Sequence, residues 1–194
     1  MKKSCFLFFI LLVMFSGCKT TKPLAENKPH AITEPATVTD SALPAINFHD
    51  QTTWILGYFN PDQLTHYPYS TWYIKGFDDY QVNSDAINNL LDINKEDIAI
   101  KVVMGIWCPD SRREVPRFMR VLDAWHFPAA KVTFIGVDDA KQSPVGEYTK
   151  LDIQRVPTFI IYKNNIEAGR IIENPSTSLE QDMVKILTGM NNNK

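Results

Sequence analysis

The chain has 194 residues, 44% of them hydrophobic, and its formal net charge is -2. This length and composition predict one globular domain with an apolar core. The charge lacks the basic excess that binding to nucleic-acid phosphates requires, which argues against a nucleic-acid partner.

Residues 1–17 have the pattern of a signal peptide. Lys2 and Lys3 precede an apolar run over residues 6–15, which is too short to span a bilayer. Small residues then lead directly into Cys18. This pattern resembles the lipobox of bacterial lipoproteins, which implies cleavage before Cys18 and acylation of its sulfur and new amino group. An ordinary secretory signal that happens to contain a cysteine is the alternative.

Acylation at Cys18 predicts a protein held on a membrane surface, because two or three acyl chains give stable attachment without a membrane span. We therefore expect the protein in the bacterial cell envelope, and the absence of an acidic run after Cys18 favours the periplasmic face over the cell surface. Cys5 leaves with the signal peptide and Cys18 becomes a thioether. Cys108 is then the single remaining thiol, and no internal disulfide can form.

Residues 18–50 are rich in Thr, Ala, Pro and Lys, which is typical of a flexible tether. Such a chain reaches about 30 Å from the membrane. We assign residues 51–190 to the folded domain, with residues 51–96 as an N-terminal extension.

The extension gives weaker signals than the rest of the domain. A strand is predicted at residues 54–59, and a helix begins at Asn60, which is followed by Pro61 at the first helical position. A second helix begins near Ser84 and is predicted to place Ile87, Leu90 and Leu91 on one face. The aromatic residues between these helices indicate a packing layer at the domain edge rather than a ligand-binding platform.

From residue 97 onward the hydrophobic pattern is clear. Strands are predicted at residues 98–106, 131–137, 158–162 and 167–172, and helices from about Asp110, around residues 143–151 and from near Ser176. A β-α-β half followed by a β-β-α half predicts an α/β domain with a mixed sheet flanked by helices.

Cys108 stands where the first of these strands meets the following helix. A sulfur at a helix N-terminus faces free backbone N–H groups and the positive end of the helix dipole, which favour the thiolate over the thiol. Arg112 and Arg113 add positive charge nearby, and Asp110 opposes them. The sequence therefore predicts a reactive thiol.

Three features occur in an order that is typical of one family. They are the motif of Trp107, Cys108 and Ser111, the proline at Pro116, and the segment 155–159. Together they resemble the thioredoxin family over about residues 97–188. The resemblance implies a thioredoxin-like fold, a proline kink in the active-site helix, and a cis Pro157 that lies against Cys108. Residues 107–118 are also similar to a subgroup of thioredoxin-like exported lipoproteins in Bacteroidetes.

Two departures from the thioredoxin pattern limit the chemistry. Ser111 stands where dithiol members have their second cysteine, and a hydroxyl cannot resolve a mixed disulfide. Val102 replaces the buried acid that assists proton transfer in thioredoxin. A dithiol cycle within one molecule is excluded. Attack by the Cys108 thiolate on a disulfide or sulfenic acid remains, with release by a second thiol.

This monothiol interpretation assigns a role to each site residue. Cys108 is the nucleophile, and Ser111 donates a hydrogen bond to its thiolate. Val156 and Pro157 present backbone to an extended substrate, as the resemblance implies, and Trp107 covers the flank of the sulfur. The expected partners are exported proteins or small thiols, held in mixed disulfides, and no cofactor is expected.

Other classes of protein fit the sequence in different degrees. A non-catalytic docking module with the same fold, in which Cys108 is only a small residue, stays open, so enzymatic activity is not decided. A peroxiredoxin would place Thr or Ser three residues before the cysteine, where Gly105 stands. A cysteine hydrolase needs a histidine base, and no recognisable partner exists. No Cys or His pair has metal-ligand spacing, so no metal site is predicted.

Overall fold

The computed structural model describes residues 45–189. The predicted signal peptide, the lipidation site Cys18 and the tether up to residue 44 lie outside the described residues. Within residues 45–189 no helix combines the length and apolarity needed to cross a bilayer.

A mixed sheet of five strands forms the centre of the domain. The strands are β1 (Gly57–Phe59), β2 (Ile98–Met104), β3 (Val132–Gly136), β4 (Thr158–Lys163) and β5 (Ile166–Ile172). Their order across the sheet is β1-β3-β2-β4-β5, with β2 and β3 parallel and the other neighbours antiparallel. The predicted α/β fold, a thioredoxin-like mixed sheet flanked by helices, is confirmed.

Four α-helices accompany the sheet: α1 (Ser70–Asp78), α2 (Ser84–Leu91), α3 (Pro109–Ala124) and α4 (Leu179–Thr188). Short 3-10 helices lie at residues 51–53, 61–65, 129–131 and 148–151. Asn60 caps the second of these, as its sequence predicts, by accepting a hydrogen bond from the Asp62 N–H. Helix α2 begins where expected, but Leu91 is 40% exposed and does not share the buried face of Ile87 and Leu90.

The core consists of two clusters of buried side chains. The larger one joins β2 residues such as Ile100 and Val102 to α3 and α4, and in it Phe118 stacks on Phe159 with ring centroids 4.1 Å apart. The smaller cluster contains Cys108 together with Val103 and other apolar residues. Cys108 therefore lies at the margin of the core.

Helix α1 is the one α-helix of residues 45–189 that the sequence did not predict. It packs against α3, and the contact is close because Gly76 lies over Pro116, where an added Cβ would come within 2.6 Å of the proline ring. Tyr80, just after α1, donates a hydrogen bond of 2.9 Å to the buried Glu180 of α4. The extension thus supports the two helices that flank the sheet.

Burial of Tyr73 in α1 predicts a pH dependence of stability. The side chain is 7% exposed, and burial, with a smaller effect of the Asp62 charge, raises its pKa from 10.0 to about 12. Because the folded pKa is the higher one, the stabilising effect is complete below about pH 10 and is lost as the pH rises to about 12. We expect Tyr73 to account for about 2 kcal/mol of the loss in unfolding free energy over this range.

Urea unfolding at several pH values between 9 and 12 measures this loss. Tyr73→Phe should flatten the decline, whereas Tyr67→Phe, at a tyrosine that is 56% exposed, should leave it unchanged. Equal declines in the wild type and Tyr73→Phe would contradict the assignment.

Candidate active site

Cys108 occupies the N-cap position of α3. Its backbone is extended (φ -79, ψ 120), and Pro109 follows at the first helical position, where its missing N–H costs nothing. The Cys108 N–H donates to the Gly105 carbonyl at 3.1 Å, which closes the turn between β2 and α3. This turn brings the sulfur to the positive end of the helix, as the sequence predicts.

The thiol faces the segment that precedes β4. Cys108 is 6% exposed, and its Sγ donates a hydrogen bond of 3.2 Å to the Val156 carbonyl oxygen. The Val156–Pro157 peptide bond is cis. The structure therefore brings Cys108 and Val156, which are 48 positions apart in sequence, into direct contact.

Ser111 lies in the first turn of α3 and is fully buried. Its hydroxyl oxygen accepts a hydrogen bond from the Gly105 N–H at 3.3 Å. Within residues 45–189 it makes no hydrogen bond to the Cys108 sulfur, so the predicted contact is absent from this arrangement. In the thiol form, Ser111 holds the turn that carries Cys108.

Trp107, the residue before Cys108, is fixed by a long-range contact. Its indole Nε1 donates 3.2 Å to the Val137 carbonyl, just beyond β3, and its ring packs on the small cluster that contains Cys108. The role of Trp107 in covering the flank of the sulfur stays a prediction.

Two backbone carbonyls at the predicted substrate groove already accept hydrogen bonds. Val156 accepts from the thiol, and the carbonyl of the buried Pro157 accepts from the Glu173 N–H at 2.8 Å. A substrate that donates a hydrogen bond to the Val156 carbonyl must therefore displace the Cys108 thiol from it. The substrate-binding role of both residues stays a prediction.

Arg112 has a role that the sequence did not reveal. Its Nη1 donates to the carbonyls of Ile106 and Trp107 at 2.7 and 3.0 Å, and its guanidinium lies 4.9 Å from the ring centroid of Phe48. Burial lowers the pKa of Arg112, and attraction to Cys108 opposes that shift. Arg112 thus links the loop before Cys108 to the ring of Phe48. Phe48 was predicted to belong to the tether.

Metal ligands are not gathered anywhere in the described part of the chain. Among residues 45–189 no group of three or more His, Cys, Asp or Glu side chains could hold a metal ion.

Comparison with known proteins gives one informative relative. A Dictyostelium discoideum protein that bears the name thioredoxin-5 is 31% identical over 98 residues, which are 50% of this chain and 88% of that protein. No protein-family model matches the chain.

Similar solved structures are more distant in sequence. A Pseudomonas aeruginosa protein of unknown function has 13% identity and a TM-score of 0.45, and the match covers 62% of this chain and 82% of the other. Thioredoxin O2 from Arabidopsis thaliana, in its oxidised state, has 18% identity and a TM-score of 0.36, with coverage of 54% and 88%.

Proposed function

The chain belongs to the thioredoxin-like family, and from that premise we propose that it forms mixed disulfides with exported proteins or small thiols through the single thiol of Cys108. The observation that carries this proposal is the position of the sulfur at the N-cap of α3, in contact with the Val156 carbonyl. General thiol-disulfide chemistry follows from the family, and the monothiol mechanism is our own inference.

The proposed reaction begins when the Cys108 thiol loses its proton to solvent. The thiolate attacks one sulfur of a substrate disulfide, a new S–S bond forms, and the old S–S bond breaks with its electron pair on the leaving thiolate. The attacking sulfur lies at the N-cap of α3, where the first N–H groups of the helix have no partner within the helix. Since Ser111 cannot attack the new bond, a thiol from a second molecule must release the adduct.

A docking module without thiol chemistry is the second candidate. One observation favours it: Cys108 is only 6% exposed and its thiol already has a hydrogen-bond partner. In that case the groove holds a partner segment without a covalent bond. The two candidates differ in whether the binding of a partner requires the sulfur atom of Cys108.

Trapping in cells separates these candidates. Cells are quenched in acid, free thiols are alkylated, and the chain is examined on non-reducing gels. We expect reducible adducts in the wild type and in Ser111→Ala, and none in Cys108→Ser, which changes one atom and preserves the groove. Partners that an amine-reactive crosslinker captures equally from wild type and Cys108→Ser, with no reducible adduct in either, would favour the docking module.

We also propose that the mature protein is anchored to the cell envelope by acyl chains on Cys18, with the periplasmic face as its location. The charged n-region, the short apolar run and the small residues before Cys18 support this proposal. In a bacterial host, palmitate label should enter the wild type and not Cys18→Ala, and the variant should leave the membrane fraction. Labelled Cys18→Ala, or an unlabelled wild type, would contradict the anchor.

A further inference from the structure

A cavity of about 410 Å³ lies beside the active-site helix, between α1 and α3. Cationic and aromatic side chains form much of its wall: Arg112, Arg113 and Arg117 from α3, with Trp72, Lys75 and Tyr80 opposite. The sequence predicted no ligand-binding role for any of these residues. Neither Cys108 nor Val156 lines this cavity, so it is distinct from the predicted substrate-binding residues.

The carboxylates around this cavity do not pair with every cation. Arg113 contacts Asp110 and Glu114, each at 2.7 Å, and Arg117 contacts Glu114 at 3.0 Å. Lys75 pairs with Asp79. Arg112 has no carboxylate within 4.0 Å among residues 45–189. A fourth carboxylate, that of Glu180, accepts hydrogen bonds from the Tyr80 hydroxyl and the Asn83 N–H.

Several N–H donors around the cavity have no partner among the described residues. Arg112 and Arg117 each use only Nη1, so their Nε and Nη2 groups are free to donate. The indole Nε1 of Trp72 is buried and also lacks a hydrogen-bond partner within residues 45–189. A guanidinium presents its donors as a planar fork that matches the oxygens of a carboxylate or phosphate. The unused donors therefore fit an oxyanion.

Helix geometry connects the cavity to the thiol. Arg112 follows the N-cap residue Cys108 by one helical turn, and its N–H donates to the Cys108 carbonyl at 3.1 Å; the rise over these four residues is about 6 Å. Arg112 also holds the carbonyls of Ile106 and Trp107, directly before the cysteine. An anion at Arg112 would lie within reach of a short molecule bound at the sulfur.

We propose that this cavity binds an oxyanion group, carboxylate or phosphate, of a small molecule, and so selects acidic small thiols and disulfides as partners of Cys108. The selection rests on the function proposed above, whereas oxyanion binding does not. In the exchange step the Cys108 thiolate attacks the acidic disulfide, and the displaced half leaves as a thiolate.

Exchange rates test the selection. The full chain in detergent, with Cys5→Ser and Cys18→Ser so that Cys108 is its one thiol, reacts with acidic 5,5′-dithiobis(2-nitrobenzoate) and with neutral 4,4′-dithiodipyridine at constant ionic strength. The ratio of the acidic to the neutral rate should fall about fivefold in Arg117→Gln. Arg120→Gln, an equal charge change on α3 outside the cavity, should leave the ratio unchanged.

An unchanged ratio in Arg117→Gln, or an equal fall in Arg120→Gln, would overturn the selection while exchange with the neutral reagent keeps the proposed function. No reaction of folded protein with either reagent would instead overturn the proposed function and the selection with it. Circular dichroism melting of each variant confirms that it is folded.

Calorimetric titration tests oxyanion binding independently of the thiol, with inorganic phosphate and succinate as separate probes. Binding of either probe that weakens in Arg117→Gln and in Trp72→Phe, which removes the indole N–H together with part of the ring, supports the cavity and identifies the preferred group. Absence of binding by both probes, or binding that neither substitution changes, would overturn the proposal.

Discussion

Replacing Ser111 by cysteine is expected to shorten the lifetime of a Cys108 mixed disulfide by at least about 100-fold. Residue 111 lies in the first turn of α3, three residues after the N-cap cysteine. A thiol there attacks the mixed disulfide within the same molecule, and such positioned reactions have a large advantage over attack by a separate thiol. The variant would then release the bound partner by forming an internal disulfide, a step for which the native chain needs a thiol from a second molecule.

The experiment starts from the chain with Cys5→Ser and Cys18→Ser, loaded with one 2-nitro-5-thiobenzoate group at Cys108. Release of the yellow thiolate is followed without added thiol. Ser111→Ala is the matched control, because it also removes the hydroxyl that accepts from the Gly105 N–H but supplies no thiol. Release from Ser111→Cys at the slow rate of Ser111→Ala would contradict the monothiol account.

The central part of the fold was predictable because its signals are local. The apolar run at β2 and the helical spacing of Val115, Phe118 and Leu122 describe one strand-to-helix unit, and the structure bears out both elements. Cys108 at their junction followed from chain order alone. The family resemblance implied that Pro157 lies against Cys108, and the structure places the carbonyl of the preceding residue, Val156, in contact with the sulfur.

Helix α1 was missed for a physical reason. Its sequence contains Thr71, Trp72 and Tyr73, which have low intrinsic helix propensity and are common in strands. Packing on α3 overrides that preference, with Gly76 allowing close approach to Pro116. Such tertiary stabilisation leaves little trace in local sequence pattern.

The role of Arg112 was missed because it depends on distant backbone. Its position beside Cys108 indicated only a nearby positive charge, whereas the structure shows hydrogen bonds to two carbonyls and a contact with Phe48. Phe48 stands in a Pro- and Thr-rich stretch that is typical of a tether. The aromatic side chain at this position was the one sequence signal that contacts with the folded domain begin before residue 51.

Single-turnover exchange with neutral 4,4′-dithiodipyridine tests most directly whether Cys108 forms mixed disulfides. For the folded chain with Cys5→Ser and Cys18→Ser, the account predicts release of one equivalent of thiopyridone and a stable adduct at Cys108, located by mass spectrometry of peptides. Adding Cys108→Ser should abolish both. A folded chain that releases no thiopyridone over hours, with Cys108 recovered as a free thiol, would contradict the account and favour the docking module.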